Sequence, residues 1–185
     1  AFDARTEAEV AQIWQSSATP KMTDELVLRA VEQGGIFELS PIPYRYIFAQ
    51  RIKPSLFETP LKSLAVSGVT WCEDRLVIGR RADWVSQDPN CLELVPSGSV
   101  GAEGGDVFTQ LDREMTEELG IARTAITAYR LLGTVDDHAN HVLDAVIETR
   151  VTCSFDEVRQ AHARLDRPEY SELLTVTVGE LPGLI

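Results

Sequence analysis

The chain has 185 residues, of which 44% are hydrophobic and 25% are charged, and this composition fits one globular domain or a domain with an added subdomain. Its formal net charge of -12 repels the phosphate backbone of nucleic acids, so we expect no nucleic-acid partner. The sequence has no apolar run of the length that a membrane span needs, so we expect no membrane partner either.

The three cysteines of the chain are Cys72, Cys91 and Cys153. Their number is odd, and no two of them have the spacing of zinc ligands. Scattered free thiols are typical of a reducing compartment, so we expect a cytoplasmic protein.

The first 60 residues mix helical and extended patterns. The segment Thr6–Ser17 has a ragged apolar face that predicts a helix. Thr23 has the chemistry of a helix cap, and a second helix is predicted from there to a stop at Gly34-Gly35. Residues 44–52 (YRYIFAQRI) predict a strand, and residues 53–60, with two prolines, predict a linker. The apolar content of this region predicts an ordered α+β extension over residues 1–60, packed on the rest of the chain or on a second copy of it.

Strand and helix patterns interleave from residue 61 to the end. Glycine at 120 is a helix stop, and Glu73-Asp74 is typical of a hairpin turn. This order predicts a second domain over residues 61–185, an α/β sandwich with a mixed sheet. The predicted strands cover 64–71, 75–79, 92–95, 126–134, 141–151 and 173–178, and the predicted helices cover 108–119 and 155–165.

Three glutamates crowd one predicted helix, in the segment REMTEELGI that runs from Arg113 to Ile121. Helical spacing places the carboxylates of Glu114, Glu117 and Glu118 near one another, although like charges at this spacing destabilise a helix. One reading is a solvated acidic face, as in most charge runs. The other is a site for a hard divalent cation, which takes carboxylate and phosphate oxygens together. The surrounding sequence favours the second reading.

That surrounding sequence resembles the Nudix hydrolase family, whose signature is G-x5-E-x7-R-E-U-x-E-E-x-G-U with U a bulky aliphatic residue. The segment from Arg113 to Ile121 matches the second half of the signature without a gap. The hairpin ending in Gly79-Arg80-Arg81 and the later segments EYSEL (169–173) and ELP (180–182) are also similar to family features. The resemblance covers residues 62–185 and implies a Nudix-like α/β/α sandwich.

The first half of the signature departs from the family pattern. The loop glutamate of the family falls on Gly105, and its first glycine falls on Ser99, one place after Gly98. Glu103 or Asp106 replaces the missing carboxylate, or no residue does. Gly98 still suits a backbone that must approach a phosphate closely.

The resemblance implies a role for individual residues. Glu117 and Glu118, with Glu114, are the implied ligands of Mg²⁺ or Mn²⁺, and Arg113 is the residue that orients them. The extra base or ligand of the family falls on Glu172 or Glu169. Separately, Arg80 or Arg81 has the guanidinium fork that grips phosphate, and only one of two neighbours on a strand can face the site.

The predicted function is metal-dependent cleavage of a diphosphate bond in a nucleoside diphosphate linked to another moiety. The alternatives are a catalytically weak nucleotide-binding module and, with no residue in its favour, an isoprenoid diphosphate isomerase of the same fold. The predicted partner is a small diphosphate substrate, with a homodimer as a further possibility. His138 and His141 fit a polar loop better than a metal site, and Trp84 is the tryptophan best placed to stack on a base.

Overall fold

The computed structural model describes residues 2–18, 22–34, 36–85 and 87–183. The chain divides into two compact units. The first comprises Ala1–Ala65, Ser99–Gly105 and Val135–Asp144, and the second comprises Val66–Gly98, Asp106–Thr134 and Ala145–Ile185. The boundary expected at residue 60 does not coincide with this division, and the proposed pair of domains stays a prediction.

The first unit contains two helices and a hairpin. Helix α1 (Ala4–Ser17) begins at Asp3, whose carboxylate accepts hydrogen bonds from two backbone N–H groups of the first turn. Strands β1 (Leu26–Gln33) and β2 (Ile36–Pro43) pair antiparallel, and helix α2 covers Tyr44–Ile52. These elements share an apolar core that consists of Val10, Val27, Ile42, Tyr46, Ile47, Ala49, Leu56, Phe57 and Leu61.

The helix predicted between Thr23 and Gly34 is wrong, because this segment forms strand β1. Over so short a segment, its apolar residues fit the repeat of a helix and the repeat of a strand equally well. The segment forms a strand because it pairs with β2 along its whole length. Gly34 has a left-handed φ of 60° and turns the hairpin, so a glycine that was read as a helix stop ends a strand instead. Gly35, the other glycine of that stop, lies outside the described residues.

The strand predicted over residues 44–52 is also wrong, because these residues form helix α2. Five consecutive residues, from Tyr46 to Gln50, are buried, so the segment lacks the polar face that would reveal a helical period. The buried Gln50 side chain is satisfied by both backbone groups of Leu61: it donates to the carbonyl oxygen at 2.8 Å and accepts from the N–H at 2.6 Å.

The fold has a mixed sheet with helices, as predicted. Strand β4 (Arg75–Arg81) pairs antiparallel with three strands, which are β3 (Lys62–Cys72), β5 (Leu92–Leu94) and β9 (Tyr170–Val176). Strand β3 also pairs with β6 (Ser97–Ser99) and with β8 (Val142–Val151), and β8 pairs with β7 (Ile126–Asp137). The strands predicted from residue 64 onward are therefore confirmed.

Two helices of the second unit match their predictions. Helix α3 covers Val107–Leu119 and buries Leu111, Met115 and Leu119 completely. Helix α4 covers Phe155–His162 and begins with a capping box between Ser154 and Glu157. Among the described residues, no helix combines the length and the apolar character that a membrane crossing requires. All three cysteines are free thiols, as expected.

Candidate active site

Helix α3 is fixed at both of its ends. At the N-terminus, the Asp106 carboxylate accepts hydrogen bonds of 3.2 Å from the backbone N–H groups of Phe108 and Thr109. At the C-terminus, Gly120 takes a left-handed φ of 70° and closes the last turn. Asp106 is therefore occupied as a helix cap, which weighs against its use as a substitute for the missing loop carboxylate.

The three glutamates of α3 differ sharply in exposure. Glu118 is buried, with 6% of its surface exposed, whereas Glu114 is half-buried and Glu117 is exposed. A spacing of four residues puts Glu114 and Glu118 one above the other on the inner side of the helix. The structure therefore brings two of the three predicted carboxylates together inside the unit and leaves the third at its surface.

The Glu118 carboxylate lies against the start of strand β6 and the start of strand β9. Its Oε2 accepts a hydrogen bond of 3.0 Å from the backbone N–H of Ser97 and one of 3.1 Å from the hydroxyl of Tyr170. Burial, with the nearby carboxylates of Glu114 and Glu169, holds the pKa of Glu118 well above its usual range. The Ser97 N–H and the Tyr170 hydroxyl thus hold the Glu118 carboxylate in place.

The Glu114 carboxylate lies against the backbone of Gly98. A Cβ atom at position 98 would sit 2.0 Å from Glu114 Oε1, so only glycine leaves room for this contact. The side-chain amide of Gln110 donates to the same oxygen at 2.6 Å. Burial raises the pKa of Glu114 to about 7, and the neighbouring Glu117 and Glu169 carboxylates act in the same direction. The backbone of Gly98 thus approaches a glutamate closely, and its approach to a phosphate stays a prediction.

Two residues that the sequence did not indicate complete the cluster. Tyr170, fully buried at the start of β9, places its hydroxyl 2.8 Å from Glu93 Oε1 and 3.1 Å from Glu118 Oε2, so its one proton is shared between the two acids. Glu93, on β5, is also paired with the Arg81 guanidinium at 2.7 Å. Tyr170 lies within the EYSEL segment, but that segment gave no indication of its contact with Glu93, which is distant in the sequence.

The donor set has the chemistry of a hard-cation site. Glu114 and Glu118 offer carboxylate oxygens, which Mg²⁺ and Mn²⁺ prefer, and burial raises the pKa of both acids. In the arrangement seen here, no three His, Cys, Asp or Glu side chains of the described ranges are gathered closely enough to hold a metal ion. Glu114 and Glu118 are therefore of the residue type that such a cation prefers, and Glu117 lies apart from them at the surface.

Solved structures resemble the chain more clearly than sequences do. No protein-family model and no curated protein sequence matches it. The crystal structure of DR0079 from Deinococcus radiodurans matches with a TM-score of 0.57 at 19% identity, covering 84% of this chain and 86% of its own. The MutT protein from Methanosarcina mazei Go1, a Nudix-type structure, matches with a TM-score of 0.55 at 19% identity, covering 70% and 86%.

The chain has the Nudix fold. At 19% identity this likeness concerns architecture, so activity and substrate remain to be argued from the site. Within the Nudix fold, helix α3 carries the matched half of the signature, and its buried face meets Ser97 and Gly98 of β6.

The two neighbouring arginines of β4 face different surroundings, in agreement with the alternation of a strand. Arg81 is 12% exposed and lies beside Glu93 and, at 3.7 Å, Glu169. Arg80 is more exposed and pairs with Glu172 at 3.2 Å. Between the two candidates for an additional base or ligand, Glu169 is the one whose charge acts on Glu114 and Glu118. The geometry therefore favours Glu169 over Glu172, and no phosphate role of either arginine is tested.

The remaining predicted residues lie at the surface. Arg113 is exposed and, within the part of the chain that the structure describes, forms no ion pair. Its charge lowers the pKa of Glu114 only as a minor influence behind burial. His138, in the first unit, is 85% exposed beside Asp136, which agrees with a polar loop. Trp84 is 39% exposed and carries the Arg167 guanidinium 4.1 Å from its ring centre.

Proposed function

We propose that the chain is a metal-dependent hydrolase that cuts a diphosphate bond in a nucleoside diphosphate linked to another moiety. The observation that carries this proposal is the pair Glu114 and Glu118, held on the inner side of α3 against the backbone of Ser97 and Gly98. Burying two carboxylates side by side costs free energy unless a cation joins them. A site that serves only stability has no need of such a pair.

Glu114 and Glu118 would hold Mg²⁺ or Mn²⁺, with exposed Glu117 as the next ligand on the same helix. When bound, such a cation neutralises diphosphate charge and lowers the pKa of water. Gly98 keeps the backbone close to Glu114, and Ser97 holds the Glu118 carboxylate in place through its N–H. The helix therefore presents its acids in a fixed geometry before the substrate arrives.

The reaction is a hydrolysis. A water oxygen forms a bond to one phosphorus, the bridging P–O bond breaks, and its electron pair leaves with the second phosphate. A carboxylate base accepts the proton of the attacking water. Glu169, exposed and close enough to influence both buried acids, is our candidate for that base in preference to Glu172.

The test is a panel of nucleoside diphosphate derivatives incubated with Mg²⁺, with Mn²⁺ or with a chelator, with the products identified by ³¹P NMR. We expect turnover only with metal. Glu118→Gln should reduce the rate by about 10²–10³-fold, as the loss of comparable electrostatic stabilisation does elsewhere. Glu73→Gln, an exposed change in the β3–β4 turn, is the matched control and should leave the rate unchanged. Full activity of Glu118→Gln would exclude the role proposed for this residue.

One observation favours a second candidate, a nucleotide-binding module without appreciable turnover. The family's loop glutamate is replaced by Gly105, and two rather than three carboxylates converge. Such a module would bind members of the panel in the presence of metal and release no product. Calorimetry with the same compounds therefore separates the two candidates.

A further inference from the structure

A continuous chain of side-chain contacts leads from a buried arginine to the acid in the middle of the candidate site. The Arg81 guanidinium lies 2.7 Å from Glu93 Oε1, and the Tyr170 hydroxyl lies 2.8 Å from the same oxygen. The Tyr170 hydroxyl is in turn 3.1 Å from Glu118 Oε2. Of these four residues, only Glu118 belongs to the helix signature. Arg81, Glu93 and Tyr170 therefore reach the helix through Glu118.

The Tyr170 ring has no freedom to move its hydroxyl elsewhere. The residue is fully buried, and its ring fills the space above Gly79 on β4. A Cβ atom at position 79 would lie 2.5 Å from Tyr170 Cδ1 and 2.6 Å from Val95 Cγ1. Protein interiors are packed closely enough that such a ring keeps one orientation. The packing of the ring therefore helps to set the position of the hydroxyl, together with its contact with Glu93.

Two donors act on one oxygen of Glu118. The backbone N–H of Ser97 and the hydroxyl of Tyr170 both point to Oε2. The hydroxyl of Ser97 lies 3.4 Å from Glu93 Oε1, so strand β6 is connected to the same hydrogen-bond network. Together the two donors fix the rotation of the Glu118 carboxylate about its last bond.

We propose that Tyr170 is a positioning residue that, anchored through Glu93 to Arg81, sets the place and orientation of the Glu118 carboxylate. Its consequence for metal binding and catalysis rests on the proposed function. Mutating a residue that hydrogen-bonds to a metal ligand, without itself binding the metal, commonly lowers metal affinity or activity by about 10–100-fold. Tyr170 thus acts through Glu118 and does not itself touch substrate.

The first experiment compares the full chain with Tyr170→Phe, which removes the hydroxyl and keeps the ring. We expect the affinity for Mn²⁺ alone, measured by calorimetry, to fall by about 10–100-fold. On a diphosphate that the parent cleaves, kcat should fall by a similar factor with KM little changed. Tyr129→Phe is the matched control, because Tyr129 also donates its hydroxyl to a carboxylate of α3, Asp112, outside the site. It should leave both quantities unchanged, and parent-like Mn²⁺ affinity in Tyr170→Phe would overturn the proposal.

The second experiment needs no metal. A double-mutant cycle of Tyr170→Phe and Glu118→Gln, followed by urea denaturation with a chelator present, measures the coupling of the two side chains directly. We expect a departure from additivity of at least about twofold in the unfolding equilibrium constant. An additive cycle overturns the proposal. If the parent binds no Mn²⁺ and cleaves nothing, the proposed function fails, and the cycle alone decides whether Tyr170 positions Glu118.

Discussion

The raised pKa of Glu114 makes the stability of the metal-free protein depend on pH. Below about pH 4.5 this carboxyl is protonated in both the folded and the unfolded chain. As the pH rises, the unfolded chain ionises first and the folded chain resists until about pH 7, so stability is lost across this interval. Glu114→Gln carries no titrating group at this position, so its stability should not fall over this pH interval for this reason.

The size of the effect follows from the shift. A change from 4.5 to about 7 corresponds to about 3 kcal/mol if the carboxyl were fully enclosed. Glu114 is half-buried, and water screens part of this cost, so we expect Glu114→Gln to be more stable than the parent by about 1–3 kcal/mol at alkaline pH. Near pH 4.5 the two proteins should differ little. The glutamine keeps an oxygen for the hydrogen bond from Gln110.

Urea denaturation with a chelator, carried out near pH 4.5 and near pH 8.5, measures this difference. Glu117→Gln is the matched control, because it removes a charge from the exposed side of the same helix. Relief of one like-charge pair should stabilise it by only about 0.2–0.5 kcal/mol. An equal gain for Glu114→Gln at both pH values, or a gain no larger than that of the control, would refute the assignment of this cost to the burial of Glu114.

Two glycines give further predictions. Gly98→Ala would place its Cβ 2.0 Å from Glu114 Oε1 and so displace the end of this flexible side chain; we expect a loss of no more than about 1 kcal/mol in urea denaturation but a fall in metal-dependent activity. Gly120→Ala must hold a left-handed φ of 70° with the Ala161 backbone 3.0 Å away, and it should cost at least about 1–2 kcal/mol. Gly179→Ala, whose nearest neighbour is 4.0 Å away, is the control for both, and a cost as large as theirs would contradict this steric reasoning.

The sequence predicted the second unit well because its elements carry distinct signals. Helix α3 has an apolar face, an N-terminal cap and a glycine stop, and the β3–β4 hairpin has a clear turn at Glu73-Asp74. The hairpin strand β1 and the helix α2 lack such signals. The apolar residues of β1 fit a helical repeat as well as a strand repeat, and α2 is buried on every side from Tyr46 to Gln50. Burial of this kind erases the periodicity on which sequence reasoning depends.

The candidate site was predictable only where it is local in sequence. The spacing of Glu114 and Glu118 is a property of one helix, and it predicted their juxtaposition. The same spacing rule did not predict that Glu117 would be exposed, because exposure depends on which face of the helix meets the sheet. Contacts between β5, β9 and α3 bring Glu93 and Tyr170 to the helix, and these depend on tertiary pairing that no single segment encodes.

The contact between Gly79 and the Tyr170 ring has a consequence for sequence variation among homologues. With 2.5 Å between a hypothetical Cβ and the ring, and 2.6 Å between that Cβ and Val95 Cγ1, a side chain larger than glycine at position 79 requires changes at both positions 170 and 95. The three positions should therefore change together in an alignment of this chain with its relatives. Branches that keep the tyrosine should also keep the glycine.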